Sequence, residues 1–192
     1  MKRILVTMLV CLLAGSGFAA ELGDDGLHKT PWMRDTFKDL REDLQEASSE
    51  GKRLVLFIEQ QGCIYCQKMH EEVFPQSDLS AYIEENFFVV QMDLHGSTTA
   101  VDFDGEESEQ RVLMRKWGIL FTPTLVFLPE EVPEDTTAID VAVSAMPGAF
   151  AKSTTLDLFT WVNEKRYALD NGEDFQRYHA RRLQERNNLS QD

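Results

Sequence analysis

The chain has 192 residues, of which 43% are hydrophobic and 27% are charged, so it is too apolar for a disordered polar chain and fits one packed domain. The formal net charge of −14 repels nucleic-acid phosphates and anionic membrane surfaces, which argues against nucleic-acid binding and against a polybasic membrane anchor. The three cysteines are too few for a disulfide scaffold and the wrong number for a four-thiolate zinc site.

A signal-peptide pattern begins the chain. Two basic residues precede an apolar run over residues 4–13 and a stretch of small residues. Gly17 and Ala19 fit the small-residue rule for signal-peptidase cleavage, so we expect a secretory signal peptide over residues 1–19. The apolar run is shorter than the roughly 20 residues of a membrane span, so no stable membrane insertion is expected. These features predict export to the periplasm, where a single domain over residues 20–192 carries two cysteines and a net charge of −16.

The two cysteines of that domain are Cys63 and Cys66, with only two residues between them. A disulfide stabilises a protein mainly by closing a long loop in the unfolded chain, so this short ring adds little stability. In an oxidising compartment such a pair is typical of thiol-disulfide exchange, in which one thiolate attacks a substrate disulfide and the second releases the product. Zinc sites use the same spacing, so the surrounding sequence has to distinguish a redox pair from a zinc site.

Buried strands and helices alternate in the predicted elements, which indicates an α/β fold. In chain order we expect a first helix from Thr30 to Gly51, a strand over 54–58, helices over 63–74 and 77–86, a strand over 87–94, a helix over 106–117, strands over 121–128 and 139–143, and helices over 155–167 and 173–186. Cys63 lies at a helix start, where free N–H groups and the helix dipole favour a thiolate. Cys66 follows one turn later and should be more buried.

Together these residues resemble the thioredoxin superfamily. A strand leads into Gly62-Cys63-Ile64-Tyr65-Cys66, a β-α-β unit follows, and Thr122-Pro123 precedes a later strand. The Gly51-Lys52-Arg53-Leu54 segment, the tyrosine before the second cysteine and the Asp104-Gly105 loop are similar to Sox-type periplasmic thioredoxins of the SoxW and SoxS kind. The resemblance implies a thioredoxin-like fold: a central mixed sheet flanked by helices over a core of about residues 32–167, with an N-terminal helix and a C-terminal helical extension.

The resemblance also implies roles for particular residues. Cys63 is expected to be the attacking thiol and Cys66 the resolving thiol. A cis peptide bond is expected to place Pro123 beside Cys63. The backbone of Thr122 is expected to offer strand-like hydrogen bonds to a bound substrate chain.

The chain departs from ordinary thioredoxins at two places. Ile64 and Tyr65 stand between the cysteines, where thioredoxins carry Gly-Pro, and they are candidate substrate contacts. Phe57 stands six residues before the first cysteine, where thioredoxins bury an acid. Glu59 is the nearby acid and the candidate for proton transfer at Cys66, although an acid at a strand end is more often solvated.

A metal-binding module is the main alternative. Cys63, Cys66 and His70 share one predicted helix and could present two thiolates and an imidazole to copper or zinc. A fourth ligand is not evident, so we expect His70 at the surface and no bound metal. The other histidines have no evident link to the site: His28, His95 and His179.

These observations predict a periplasmic dithiol reductase, because the Sox resemblance implies an enzyme that restores thiols on protein or carrier-bound disulfides in sulfur oxidation. We expect no cofactor, electrons from a membrane thiol-electron transporter, and a monomer, since no segment is left for dimerisation. A periplasmic disulfide oxidant or isomerase is the alternative within the same chemistry. Four arginines near the C-terminus are expected to balance local acids, with contact to an acidic partner as the alternative: Arg177, Arg181, Arg182 and Arg186.

Overall fold

The structure of the protein is a computed structural model that describes residues 21–170 and 172–189. The predicted signal peptide over residues 1–19 lies outside the described residues. Within the described part of the chain, no helix is both long enough and apolar enough to cross a membrane.

A five-stranded mixed sheet forms the centre of the fold. Its strands, in spatial order, are β3 (Met33–Arg34), β5 (Phe87–Asp93), β4 (Arg53–Glu59), β8 (Thr124–Phe127) and β9 (Ser144–Pro147). The first three run parallel, and β8 and β9 are antiparallel to their neighbours. Two small antiparallel pairs lie outside this sheet, namely β1 (Glu21–Leu22) with β2 (His28–Lys29) and β6 (Thr99–Val101) with β7 (Glu107–Glu109).

The central strand β4 separates the two cores of the domain. All of its residues are buried, as expected for a strand that is covered on both faces. Because side chains alternate along a strand, Phe57 belongs to the core on one face, whereas Leu56 and Ile58 belong to the core on the other. The same alternation places Glu59 on the face of Phe57.

Helices cover both faces of the sheet. The Phe57 face is packed by the π-helical turn Met69–Val73, which continues α2 (Ile64–Lys68), and by α3 (Ser77–Asn86), α6 (Lys152–Asn163) and α7 (Phe175–Leu189). The opposite face is packed by α1 (Leu40–Ser49), α4 (Gln110–Lys116) and α5 (Ala138–Val141). This architecture confirms the expected α/β fold, in which helices flank a mixed sheet.

The first helix is shorter than the sequence predicted. It begins at Leu40 and not near Thr30, because the Asp39 side chain caps it by accepting hydrogen bonds from two backbone N–H groups of the first turn. Just before the cap, Lys38 has a φ of 60°, which a helix interior does not allow. Residues 33–34 pair with β5 instead.

Two later elements also differ from their predictions. The strand predicted over 139–143 is wrong, because α5 occupies most of that range and β9 follows it. Thr137 caps α5 by accepting a hydrogen bond from the Asp140 backbone N–H at 3.4 Å. The helix predicted over 106–117 begins only at Gln110, since the three residues before it pair with β6 as β7.

Charged side chains dock α7 on α6. The carboxylate of Asp157, which is buried on α6, accepts two hydrogen bonds from the Arg186 guanidinium at 2.8 and 2.7 Å. It also accepts one from His179 at 2.6 Å. Arg181 pairs with Glu173 at 2.8 Å. These arginines pair with acids of their own chain, as expected from the sequence.

Candidate active site

The two cysteines meet just beyond the carboxyl end of β4. The chain turns there through Gly62, whose φ of 69° favours glycine. Cys63 is the N-cap of α2, and its sulfur accepts a hydrogen bond from the Cys66 backbone N–H at 3.0 Å. The two sulfurs are bonded at 2.07 Å, so the structure holds the pair as a disulfide.

The two cysteines differ in accessibility. Cys63 is 6% exposed, whereas Cys66 is fully buried at 0%. Cys63 also lies at the start of a helix, where unpaired backbone N–H groups favour a thiolate. Cys63 is therefore the more accessible of the two cysteines, and the attacking role expected for it stays a prediction.

The segment before β8 lies directly against the disulfide. The peptide bond between Thr122 and Pro123 is cis, and the Thr122 hydroxyl lies 3.3 Å from the Cys63 sulfur. The carbonyl of Pro123 accepts a hydrogen bond from the Gly148 backbone N–H at 2.7 Å, which ties this segment to the chain that follows β9. Thr122 and Pro123 thus stand beside the reactive sulfur, and β8 begins after them, at Thr124.

Four large apolar side chains lie at the surface around this point, and we call them the apolar rim: Ile64, Tyr65, Leu120 and Phe121. Their exposed fractions lie between 59% and 72%. One pair directly follows Cys63, and the other directly precedes Thr122. Ile64 and Tyr65 were expected from the sequence as substrate contacts, whereas Leu120 and Phe121 were not, although two bulky apolar residues before a Thr-Pro segment are a usable signal. Exposed apolar side chains that cluster in this way are typical of interaction surfaces.

Glu59 is buried, so the expectation that a strand-end acid is solvated is wrong. Its Oε1 accepts a hydrogen bond from Nε2 of His70 at 3.0 Å, and its Oε2 accepts one from the side-chain amide of Gln91. These two donors offset the cost of burying a carboxylate. Glu59 also lies two residues beyond Phe57 on the same face of β4, so the domain does bury an acid on this face, two positions nearer the cysteines than thioredoxins do.

His70 is buried as well, so the prediction of a surface histidine is wrong. Its Nδ1 lies 2.8 Å from the Thr30 hydroxyl, and its Nε2 is occupied by Glu59. The ring of His28 stacks on it at 5.3 Å, so the expectation that His28 has no link to the site is wrong. Because both ring nitrogens have partners, His70 does not join the cysteines as a metal ligand. Over residues 21–170 and 172–189, no three His, Cys, Asp or Glu side chains are grouped to hold a metal ion.

The fold and the site together define a class of protein. A mixed sheet flanked by helices, a Cys-x-x-Cys pair at a helix start and a cis-proline beside it are features of a thioredoxin fold with its redox pair intact. The sequence profile of the thioredoxin-like domain family matches residues 40–155, which is more than half of the chain. The chain belongs to this family, and it is a thiol-disulfide oxidoreductase of the thioredoxin-like kind.

Solved structures agree with this fold. A thioredoxin-fold protein from Helicobacter pylori aligns with a TM-score of 0.54 and 19% identity, over 72% of this chain and 86% of that one. A thioredoxin from Thermus thermophilus aligns with a TM-score of 0.50 and 22% identity, over 65% of this chain and 83% of that one. At such identities the likeness establishes the fold alone. None of the curated proteins compared with the chain is significantly similar to it.

Proposed function

We propose that this chain is a periplasmic dithiol reductase that acts on protein or carrier-bound disulfides, including carriers used in sulfur oxidation. One observation carries the proposal. Cys63 is slightly exposed and lies beside a cis-proline segment and an apolar rim, and its sulfur is bonded to that of Cys66, a fully buried residue.

The chemistry follows from that asymmetry. In the reduced protein, the Cys63 thiolate attacks a substrate disulfide, forms a mixed disulfide and releases the first substrate thiolate. Cys66 then gives its proton to Glu59, and its sulfur attacks the Cys63 sulfur. The Cys63–Cys66 bond forms, the bond to the substrate breaks, and the second substrate thiolate leaves. The substrate gains two electrons and the cysteine pair loses two.

The surface around Cys63 suits a flexible peptide as the substrate. The apolar rim can cover apolar side chains on either side of a substrate cysteine, which removes exposed apolar area from water. Thr122 lies against the reactive sulfur, so its backbone is placed to form strand-like hydrogen bonds with the same peptide. Ile64 and Tyr65 on one side and the Thr122–Pro123 segment on the other form the substrate contacts.

The compartment and the electron donor are part of the proposal. A signal peptide over residues 1–19 and a domain whose cysteines all belong to one redox pair support export to the periplasm. Soluble nicotinamide cofactors do not supply that compartment, so electrons come from a membrane thiol-electron transporter. The resemblance to Sox-type thioredoxins supports sulfur-oxidation carriers as substrates, and a monomer satisfies this role.

A substrate trap tests the proposal. Cys66→Ala, expressed in the native compartment, leaves the mixed disulfide unresolved, so we expect substrates to accumulate as reducible adducts on Cys63. The matched control is the double variant with Cys63→Ala, which should carry none. If the single variant is well expressed and carries no adduct that depends on Cys63, exchange catalysis is contradicted.

A redox titration tests the direction of electron flow. A reductase should have a potential near the about −270 mV of thioredoxin. A potential near the about −120 mV of a strong periplasmic oxidant would contradict reduction and favour the oxidant alternative.

A further inference from the structure

A buried chain of hydrogen bonds runs from β4 to a surface cleft. Oε1 of Glu59 lies 3.0 Å from Nε2 of His70, and Nδ1 of the same ring lies 2.8 Å from Oγ1 of Thr30. Thr30 in turn lines an open cleft with a volume of about 670 Å³, together with Lys29 and Gln91. The chain therefore connects a fully buried carboxylate with a space large enough for many water molecules.

The buried end of this chain lies under the redox helix. His70 follows Cys66 by four residues on the same helical segment, and residues so spaced lie on one side of a helix, about 6 Å apart along its axis. The rings of Phe57 and Phe74 lie 5.7 and 5.4 Å from the His70 ring. These apolar groups exclude water from this side. Gln91 also joins Glu59 to the cleft but offers only an amide, so the chain through His70 and Thr30 is the connection whose groups can both accept and release a proton.

The chain satisfies its donors and acceptors in two protonation states. In the first, His70 is neutral and donates from Nε2 to the Glu59 carboxylate, while its Nδ1 accepts from the Thr30 hydroxyl. In the second, the pair holds one more proton: Glu59 is protonated and donates to Nε2, while Nδ1 of the neutral ring donates to the Thr30 oxygen. A hydroxyl can make this change by rotating, so neither state leaves a buried group without a partner.

We propose that His70 and Thr30 are positioning residues that connect Glu59 to the cleft and let the proton of Cys66 leave the buried site. This inference rests on the proposed function, in which Cys66 gives its proton to Glu59. Glu59 passes this proton to Nε2 of His70, Nδ1 releases its own proton to the Thr30 hydroxyl, and that hydroxyl passes one to water in the cleft. The pair then returns to its original charge, so one proton leaves for each disulfide that is reduced. When the Cys63–Cys66 disulfide is reduced again, a proton moves inward along the same groups and restores the proton at Nδ1.

The N-terminal segment supplies the other groups that face this pair. The ring of His28 stacks on His70 at 5.3 Å, and its backbone carbonyl accepts a hydrogen bond from Gln91 at 2.7 Å. Nζ of Lys29 lies 2.6 Å from the Gln91 side-chain oxygen and 2.6 Å from a carboxylate oxygen of Asp25. Lys29 thereby turns the Gln91 amide toward Glu59. The ionisable groups around the pair are therefore His28, Lys29 and, behind Lys29, Asp25.

The test separates attack from resolution. The reduced full-length mature protein is mixed in a stopped-flow instrument with an excess of an aromatic disulfide that releases a coloured thiolate. The first thiolate appears at a rate that depends on disulfide concentration and reports attack by Cys63. The second appears at a rate that does not, and it reports resolution by Cys66. Both rates are followed between about pH 6 and about pH 9, which spans the range in which thiols deprotonate.

For His70→Phe, which keeps a ring and loses both nitrogens, we expect attack within about twofold of wild type and resolution at least about tenfold slower near pH 6. The difference should shrink as the pH rises, because more Cys66 ionises without help. For Thr30→Val we expect a smaller loss of the resolution rate near pH 6 and the same approach to the wild-type rate as the pH rises. A purely structural defect would slow resolution equally at every pH, so parallel profiles for both variants would overturn the proposal.

Matched variants complete the test. His95→Phe at an exposed position and Thr160→Val in α6 should leave both rates unchanged. His70→Gln keeps a donor for Glu59 but cannot pass a proton on, so it should remain slow, and a wild-type pH profile would overturn the proposal. If His70→Phe does not fold, the result for Thr30→Val, at its half-buried position, decides alone. A pH profile of resolution unchanged from wild type in Thr30→Val would then overturn the proposed proton route. Absence of the attack phase in the wild-type protein would instead overturn the proposed function, and this inference with it.

Discussion

The hydroxyl of Thr122 lies 3.3 Å from the sulfur of Cys63, across a sequence separation of 59 residues. This contact joins the helix start that carries the nucleophile to the cis-proline segment that precedes β8. In the proposed function, attack and substrate binding therefore take place at the same point of the surface. The apolar rim is contributed by both segments, so we expect a protein substrate bound at Cys63 to cover part of it.

Replacing a residue of the apolar rim should weaken the binding of protein substrates more than that of small substrates. For Phe121→Ser we expect KM for a protein disulfide to rise about tenfold, since the lost burial of one aromatic ring is worth about 1–2 kcal/mol. The rate with a small disulfide should change less than about twofold, because such a substrate covers little of the rim. Phe37→Ser is the control, because Phe37 is 94% exposed and lies outside the rim. Equal losses with both substrates would count against the rim as a docking surface.

Removing the Glu59 carboxylate should slow resolution and spare attack. Glu59→Gln keeps the shape and loses the base, so we expect the Cys66 step to fall about 100-fold at neutral pH, within the range for general base catalysis. Stopped-flow release of the second substrate thiolate measures it. Glu71→Gln, at an exposed position of the adjoining helical turn, is the control and should behave as wild type. A normal resolution rate in Glu59→Gln would exclude Glu59 as the proton acceptor.

The sequence predicted the frame of the site because its signals are local. A buried strand, a cysteine pair at a helix start and a proline before a strand each follow from a few neighbouring residues. Burial of Glu59 and His70 did not follow, because their partners Gln91 and Thr30 are 32 and 40 residues away and only the tertiary fold brings them together.

The errors in the predicted helices and strands have a similar origin. Apolar spacing before α1 looked helical, yet the Asp39 cap and the positive φ of Lys38 move the start to Leu40. The alternating β-branched residues from Ile139 to Val143 looked like a strand, yet the Thr137 cap begins a short helix there. In each case a side chain that caps the helix outweighs the pattern of apolar residues.

Stability should depend on pH through Asp43. Burial raises the pKa of Asp43 to about 6 from an ordinary value of 3.8. The folded state therefore holds a proton that the unfolded state releases, and the free energy of unfolding should fall by about 2–3 kcal/mol as the pH rises through this window. Asp43→Asn should remove this fall, and denaturant unfolding at a series of pH values measures it. Glu42→Gln, exposed on the same helix, is the control and should retain the wild-type dependence.

The ion pair between α6 and α7 should stabilise the C-terminal helix. Arg186→Ala leaves the buried carboxylate of Asp157 with fewer donors, so we expect a loss of about 2 kcal/mol in the free energy of unfolding. Arg177→Ala removes an exposed contact and should cost less than about 0.5 kcal/mol.

The ion pair between Asp157 and Arg186 should also make the stability of the protein depend on pH. Burial works to raise the pKa of Asp157, but hydrogen bonds from Arg186 and His179 hold that pKa below its ordinary value. The contribution of the carboxylate is therefore present above pH 3.8 and lost as the pH falls below it, through the folded-state pKa. Thermal unfolding of wild type and Arg186→Ala should converge in strong acid. A constant difference down to the lowest accessible pH would contradict this assignment.

The most direct test of the division of labour between the cysteines uses mass spectrometry of single variants. Reduced Cys66→Ala, incubated with a peptide disulfide, should stop at one mixed disulfide per chain on Cys63, whereas reduced Cys63→Ala should remain unmodified at neutral pH because Cys66 is fully buried. Comparable adduct formation on Cys66 in the Cys63→Ala variant would contradict the account, since either sulfur could then begin the reaction.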